Sequence, residues 1–181
     1  MRTLIAVMIA GIIGSSSPGD DIGAIRAHLI ERLSIDELAS RAHVAEFYAG
    51  RDWIPVWTTD QPAHALIHSV LFYLDAARAE GIEPGGFHAD DLTSLAHFHD
   101  RRLSPVDLAS RDLLLTDAVF TLARQFAGAR IDPAMLYDRW ETPSRDADLL
   151  APLAAALDSG RLLFETLDAL RPDDPGYAGL R

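Results

Sequence analysis

The chain has 181 residues, 49% of them hydrophobic and 24% charged, which is one domain's length and a globular rather than a disordered composition. Its 27 acids against 16 bases give a net charge of −11, and every base is Arg, so phosphate backbones and anionic headgroups are repelled and nucleic-acid binding is excluded. The absence of cysteine removes disulfides, thiolate zinc sites, cysteine nucleophiles and a lipoprotein anchor together.

Met1-Arg2, an uncharged apolar run over 3–14 and Ser15-Ser16-Ser17 follow one another as the three regions of a secretory signal peptide. The run is about 12 residues long, short of the roughly 20 that span a bilayer. We therefore expect residues 1–17 to be a signal peptide, the mature protein to be periplasmic with no membrane contact, and the first 20 or so residues to stand detached or loosely helical.

Residues 20–181 read as one all-α domain, a compact bundle of about seven or eight helices with irregular loops. The stripe Ile22, Ile25, Leu29 and Leu33 predicts a helix over 22–33. Ser34 and Glu37 have capping-box spacing and predict a second helix running to Ala49. Residues 50–59 are irregular around Pro55. Asp60 and Pro62 open a helix that Gly81 stops, with Leu66, Val70, Leu74 and Ala77 on its apolar face and Ile67 and Leu71 beside them. A short helix covers 90–96, and Ser104-Pro105 opens the longest helix, which runs to Ala127. Asp132-Pro133 repeats that start, and 146–159, 161–170 and 177–181 are helical in pattern. No stretch shows the β-branched alternation of a sheet.

Chemical signatures are sparse. His64 and His68 stand four apart, as metal ligands can, but Ala65 occupies the place of the Glu in a His-Glu-x-x-His site; with His97 and His99 they read as ordinary amphipathic-helix histidines, and neither a metal nor a cofactor is expected. A glycan-cleaving, muramidase-like enzyme would need a carboxylic acid such as Glu80 or Glu46, yet nothing marks a second carboxylate as its partner. Phe47, Tyr48, Trp53 and Trp57 crowd around Pro55 and either stack on sugar rings or pin their own loop to the core. We expect the second, with Trp57 buried against the helix that carries Leu66 and Val70.

The segment Phe47-Tyr48-Ala49-Gly50-Arg51-Asp52-Trp53-Ile54-Pro55-Val56-Trp57 resembles the helical scaffold domain of large periplasmic L,D-transpeptidases. Ala76 to Pro84 with Phe87-His88 is similar to that domain's helix ending in Gly-Leu-x-Pro-x-x-Tyr, with Ile82 and Phe87 as departures. Leu115-Thr116-Asp117-Ala118 resembles its Leu-Thr-Asp-Ala helix, Gly128 to Pro133 with Trp140 its Gly-Arg-x-x-Pro turn and following Trp, with Ala129 inserted before Arg130, and Pro172 to Leu180 its close. The resemblance spans 36–181 and marks Phe47, Tyr48, Arg51, Trp53, Pro55, Trp57, Gly81, Pro84, Thr116, Asp117 and Trp140 as scaffold-motif residues, structural or binding.

Members of that family continue into a peptidoglycan-binding module and a catalytic domain with a His and a Ser-x-Gly-Cys nucleophile. This sequence has no Cys, so no catalytic residue is carried over. The resemblance implies a non-catalytic scaffold or binding module of the peptidoglycan cross-linking system, stand-alone or a fragment of a longer enzyme, whose partner is peptidoglycan or a cell-wall enzyme such as an L,D-transpeptidase. One contact is also expected inside the domain. Asp117 sits within the most apolar stretch of the longest helix: either it lies on the outer, wet face and Arg51 meets a nearby acid such as Asp52, or it is buried, where alone it would be driven toward neutrality and Arg51 is nominated as its partner.

Overall fold

The computed structural model describes residues 18–58, 61–82, 88–96, 103–127, 148–159 and 163–171. The expected signal peptide, the helix starts at Asp60 and Asp132, the closing segment 177–181, Pro84 and Trp140 lie outside them.

Helix α1 spans Pro18–Ile35 and starts earlier than residue 22, because Pro18 is tolerated in a first helical turn. It also ends later than the sequence pattern suggests. Ser34 does not open a new helix: its hydroxyl donates to the Glu31 carbonyl at 2.7 Å, inside α1. The α1 C-terminus is held instead by Arg41, whose guanidinium donates to the Leu33 and Asp36 carbonyls. Helix α2 then begins five residues beyond the bend at Asp36, spanning Arg41–Gly50 with Ser40 at its N-cap.

Helix α3 covers Gln61–Ala76 and tightens into one 3-10 turn over Ala77–Glu80. Gly81 ends it at φ 72°, a left-handed conformation in which a side chain would be strained. Helix α4 is Ala89–Ala96. Helix α5, Pro105–Phe126, carries the full capping box: Ser104 Oγ accepts from the Asp107 amide at 3.2 Å, and the Asp107 carboxylate reaches back to the Ser104 amide at 3.4 Å. Helices α6, Leu150–Ser159, and α7, Leu163–Asp168, are shorter than their sequence patterns. No strand occurs among the described residues, and none of their helices is long and apolar enough to cross a membrane.

The layout follows from α5. Every residue from Arg111 to Ala123 is buried, so this stretch of α5 has no solvent face and must be wrapped on all sides. Helices α1, α2, α3, α4 and α7 all pack on it, and α6 bridges α2 and α7. Leu29, Val44, Trp57, Val70 and Leu167 come from the surrounding elements onto Leu113, Leu115, Phe120 and Leu122 in one continuous core. At the far end of α5 a second fastening joins three elements. Arg171 donates to Glu80 Oε1 at 2.8 Å and to the Tyr73 hydroxyl at 2.7 Å, and its guanidinium lies 4.0 Å from the centre of the Phe126 ring. Burial pulls the Arg171 pKa down, but the hydrogen bonds and charge of Glu80 and Tyr73 more than offset this and raise it.

Candidate functional site

The aromatic segment starts where α2 stops. The Trp53 amide bonds the Tyr48 carbonyl at 2.8 Å and the Asp52 amide bonds the Ala49 carbonyl at 3.4 Å, the paired closure of a Schellman motif. Asp52 and Trp53 take φ of 54° and 59°, a region that glycine normally fills, so the turn costs on the order of 1 kcal/mol per residue. After the turn the chain passes irregularly through a buried Pro55, bends over 56–58, and has no regular backbone partner of its own.

Asp112 supplies the missing acceptors. Its Oδ1 accepts from the Val56 amide at 2.8 Å and from the Tyr48 hydroxyl at 2.6 Å; its Oδ2 accepts from the Trp57 amide at 2.9 Å and from the Thr58 hydroxyl at 3.0 Å. Trp57 Nε1 donates to Thr116 Oγ1 at 3.0 Å, and that hydroxyl donates back to the Asp112 carbonyl at 2.9 Å. Trp57, Tyr48, Asp112 and Thr116 are all fully buried. Burial pushes the Asp112 carboxyl up, against the pull of its four donors. Burial, together with the charge of Asp112, drives the Tyr48 phenol well above its ordinary value. Arg111 is 6% exposed, and its Nη2 meets the Trp57 carbonyl at 3.5 Å. Burial lowers its pKa and Asp112 opposes the shift.

Asp117 is also fully buried, but it does not meet Arg51. Its Oδ1 accepts from the Ser40 amide at 2.6 Å, its Oδ2 from the Ala39 amide at 3.1 Å, and His88 Nε2 lies 3.2 Å from Oδ2. The expected ion pair is replaced by backbone amides at the start of α2, which satisfy a carboxylate without a second buried charge. Ser40 Oγ closes the same junction against Thr121 Oγ1 at 2.9 Å.

Arg51 is on the other side of the aromatic turn. It pairs with Asp158 of α6, donates from Nε to the Ile54 carbonyl at 2.7 Å, and lies 5.0 Å from the centre of the Phe47 ring. Phe47 packs edge-on against Tyr48 and Phe120, with ring centroids 5.2 and 6.0 Å apart. Trp53, partly buried, stacks on Tyr48 at 6.2 Å. The polar contacts that fix Trp57 are with α5, through Asp112 and Thr116, rather than with α3.

The structure thus brings Phe47, Tyr48, Arg51, Trp53, Pro55, Trp57 and Thr116 into one assembly. Asp117 lies further along α5, and Gly81 is exposed beyond the 3-10 turn. Sequence reasoning missed Asp112, the acceptor at the centre. The signal was weaker than for Asp117: Asp112 precedes the apolar Leu113-Leu114-Leu115, but Ser110-Arg111 before it make the sequence polar on that side. Its ligands are mainly the protein's own backbone and hydroxyls, so the assembly leaves no carboxylate oxygen free for acid–base chemistry. Among the described residues no group of three or more His, Asp or Glu side chains is placed to hold a metal ion.

A protein-family model described as the Scaffold domain matches residues 42–181, from the first turn of α2 to the final residue. No curated protein and no solved structure matches the chain.

Proposed function

We propose, from the premise that this chain belongs to the Scaffold domain family, that it is a non-catalytic scaffold or binding module of the peptidoglycan L,D-transpeptidase system, acting in the periplasm as a separate chain or as part of a longer enzyme. The family match agrees with the resemblance carried by the aromatic segment and the Leu-Thr-Asp-Ala helix. The observation that carries the non-catalytic reading is the inward direction of the shared residues. Tyr48, Trp57 and Thr116 spend their polar atoms on each other and on Asp112, as residues that preserve a shape do. The leader-like pattern over 1–17 and the absence of a Cys nucleophile support a secreted, non-transferring module.

The glycan-cleaving alternative has less to work with. Both oxygens of Glu80 are bound by Arg171 Nε at 3.1 Å, and Glu46 lies exposed on α2. Co-sedimentation of the purified protein with peptidoglycan sacculi, and its capture by an L,D-transpeptidase catalytic domain, test the proposal. Association with either, without release of soluble muropeptides, is the expected result. Muropeptide release, or no association with either, would contradict it.

A further inference from the structure

We propose that His88 is a pH-sensitive clasp: its contact with Asp117 holds the start of α4 to α5, firmly while the ring is protonated and loosely once it is neutral. His88 stands immediately before α4, and its carbonyl accepts from the Leu92 amide at 2.8 Å, so the residue that makes the contact also starts the helix. Its Nε2 lies 3.2 Å from Asp117 Oδ2, and a carboxylate only accepts, so Nε2 carries a hydrogen in both charge states. Proton gain and loss therefore fall on Nδ1, which has no hydrogen-bond partner among the described residues. The His88 side chain is 21% exposed and lines an acidic cavity of about 470 Å³ between α1, the Asp36–Glu37 bend, α4 and α5, so solvent protons reach it although Asp117 is fully buried.

The charges around His88 decide the sign. From α5 come Asp117 and Asp107 and, further along, Arg124, which donates to the Ala39 carbonyl at 3.3 Å. The α1 side brings Asp36 and Glu37 against Arg32 and Arg41, of which Arg32 pairs with Asp36 at 2.5 Å and Arg41 is committed to the Leu33 and Asp36 carbonyls. Helix α4 adds Asp90 and Asp91 in its first turn. On α3, which also packs against α4, His68, Asp75 and Arg78 are exposed, Asp75 and Arg78 pair with each other at 3.0 Å, and Arg171 holds Glu80. The N-terminus of α4 opposes a cation beside it with about half an elementary charge, which is less than the full charge of Asp117 in direct contact. A proton on His88 therefore strengthens the contact.

Two further features make the contact releasable. His88 takes φ of 52°, a left-handed conformation that a residue with a side chain adopts at a cost, so the backbone pulls against the contact that its own ring makes. Asp117 keeps the Ala39 and Ser40 amides when the ring leaves, so release does not orphan the buried carboxylate. The consequence falls on the cavity, because Asp91 and Ser94 of α4 form part of its wall. This device is separate from the aromatic assembly and does not depend on the function proposed above.

The test is amide hydrogen exchange of the ¹⁵N-labelled protein across the range in which histidine changes charge, about pH 5.5 to about pH 7.5, with rates corrected for intrinsic exchange at each pH. Protection of the Leu92 amide, taken relative to Val119 within α5, should fall about 5-fold from the acid to the neutral end. His88→Gln, which keeps a neutral N–H donor, should remove that pH dependence. In the wild type alone, the midpoint of the Leu92 change should coincide with the titration of the His88 ring resonance, a requirement that holds whether or not the variant folds. Leu92 protection independent of pH, a midpoint that departs from that of the His88 ring, or the same pH dependence in a folded His88→Gln would overturn the proposal.

Discussion

Asp112 and Asp117 lie about 1.4 turns apart on one helix, and both are fully buried. Neither forms an ion pair with an arginine, yet they do different work. Asp112 gathers donors from a single continuous stretch, Tyr48 to Thr58, and holds a loop that has no ladder of its own. Asp117 joins segments distant in sequence, the Ala39-Ser40 junction before α2 and His88 before α4. The first is sealed by Trp57, whereas the second touches a histidine that also lines the acidic cavity. The lesson is that a carboxylate can be kept in an apolar helix by irregular backbone packed against it. The loop needs acceptors as much as the carboxylate needs donors.

The largest effect should come from the seal. Trp57→Ala is expected to destabilise the fold by about 3–5 kcal/mol in urea unfolding, because it leaves a large cavity and frees Thr116. Next, Asp112→Ala should cost about 3 kcal/mol and Asp117→Ala about 2 kcal/mol, since the first orphans more donors, and deeper ones. Equal losses would erase the distinction between the two ends.

Tyr48→Phe sharpens the comparison through pH and should cost about 1–1.5 kcal/mol at neutral pH. The Tyr48 phenol is raised well above its ordinary 10.0, so the native state keeps a proton that the unfolded chain gives up. Its contribution is therefore complete below the ordinary value and is lost as pH rises through the folded one. Wild type should lose stability above about pH 10 more steeply than Tyr48→Phe, and the gap between them should narrow in alkaline urea titrations. Least affected should be Arg51→Ala. Asp158, its partner, is exposed, and the expected loss is about 1 kcal/mol.

The sequence was most legible where signals are local. Ser104-Pro105 marks the start of α5, and Gly81 marks the end of the α3 segment, because caps act within a turn. Ser34 shows the limit of the same signal: the spacing to Glu37 is correct, but the hydroxyl prefers the Glu31 carbonyl while Arg41 secures the end of α1. The apolar neighbours of Asp117 left burial and a wet outer position both open, and its partners were not legible at all. Amides belong to every residue, so no residue type announces that Ala39 and Ser40 will converge on one carboxylate. For the same reason Asp112 stayed hidden behind the aromatic residues it organises. The resemblance carried by the aromatic segment marked the right neighbourhood, but only packing against α5 reveals its centre.

Amide hydrogen exchange in Asp112→Asn and Asp117→Asn tests most directly whether the two carboxylates are separate fastenings. Asn keeps one acceptor oxygen and turns the other into a donor, so the account predicts that Asp112→Asn sharply lowers protection at Val56 or Trp57 while Ala39 and Ser40 stay protected, and that Asp117→Asn does the reverse. Parallel loss at both places in either variant, or unchanged protection in both, would contradict it.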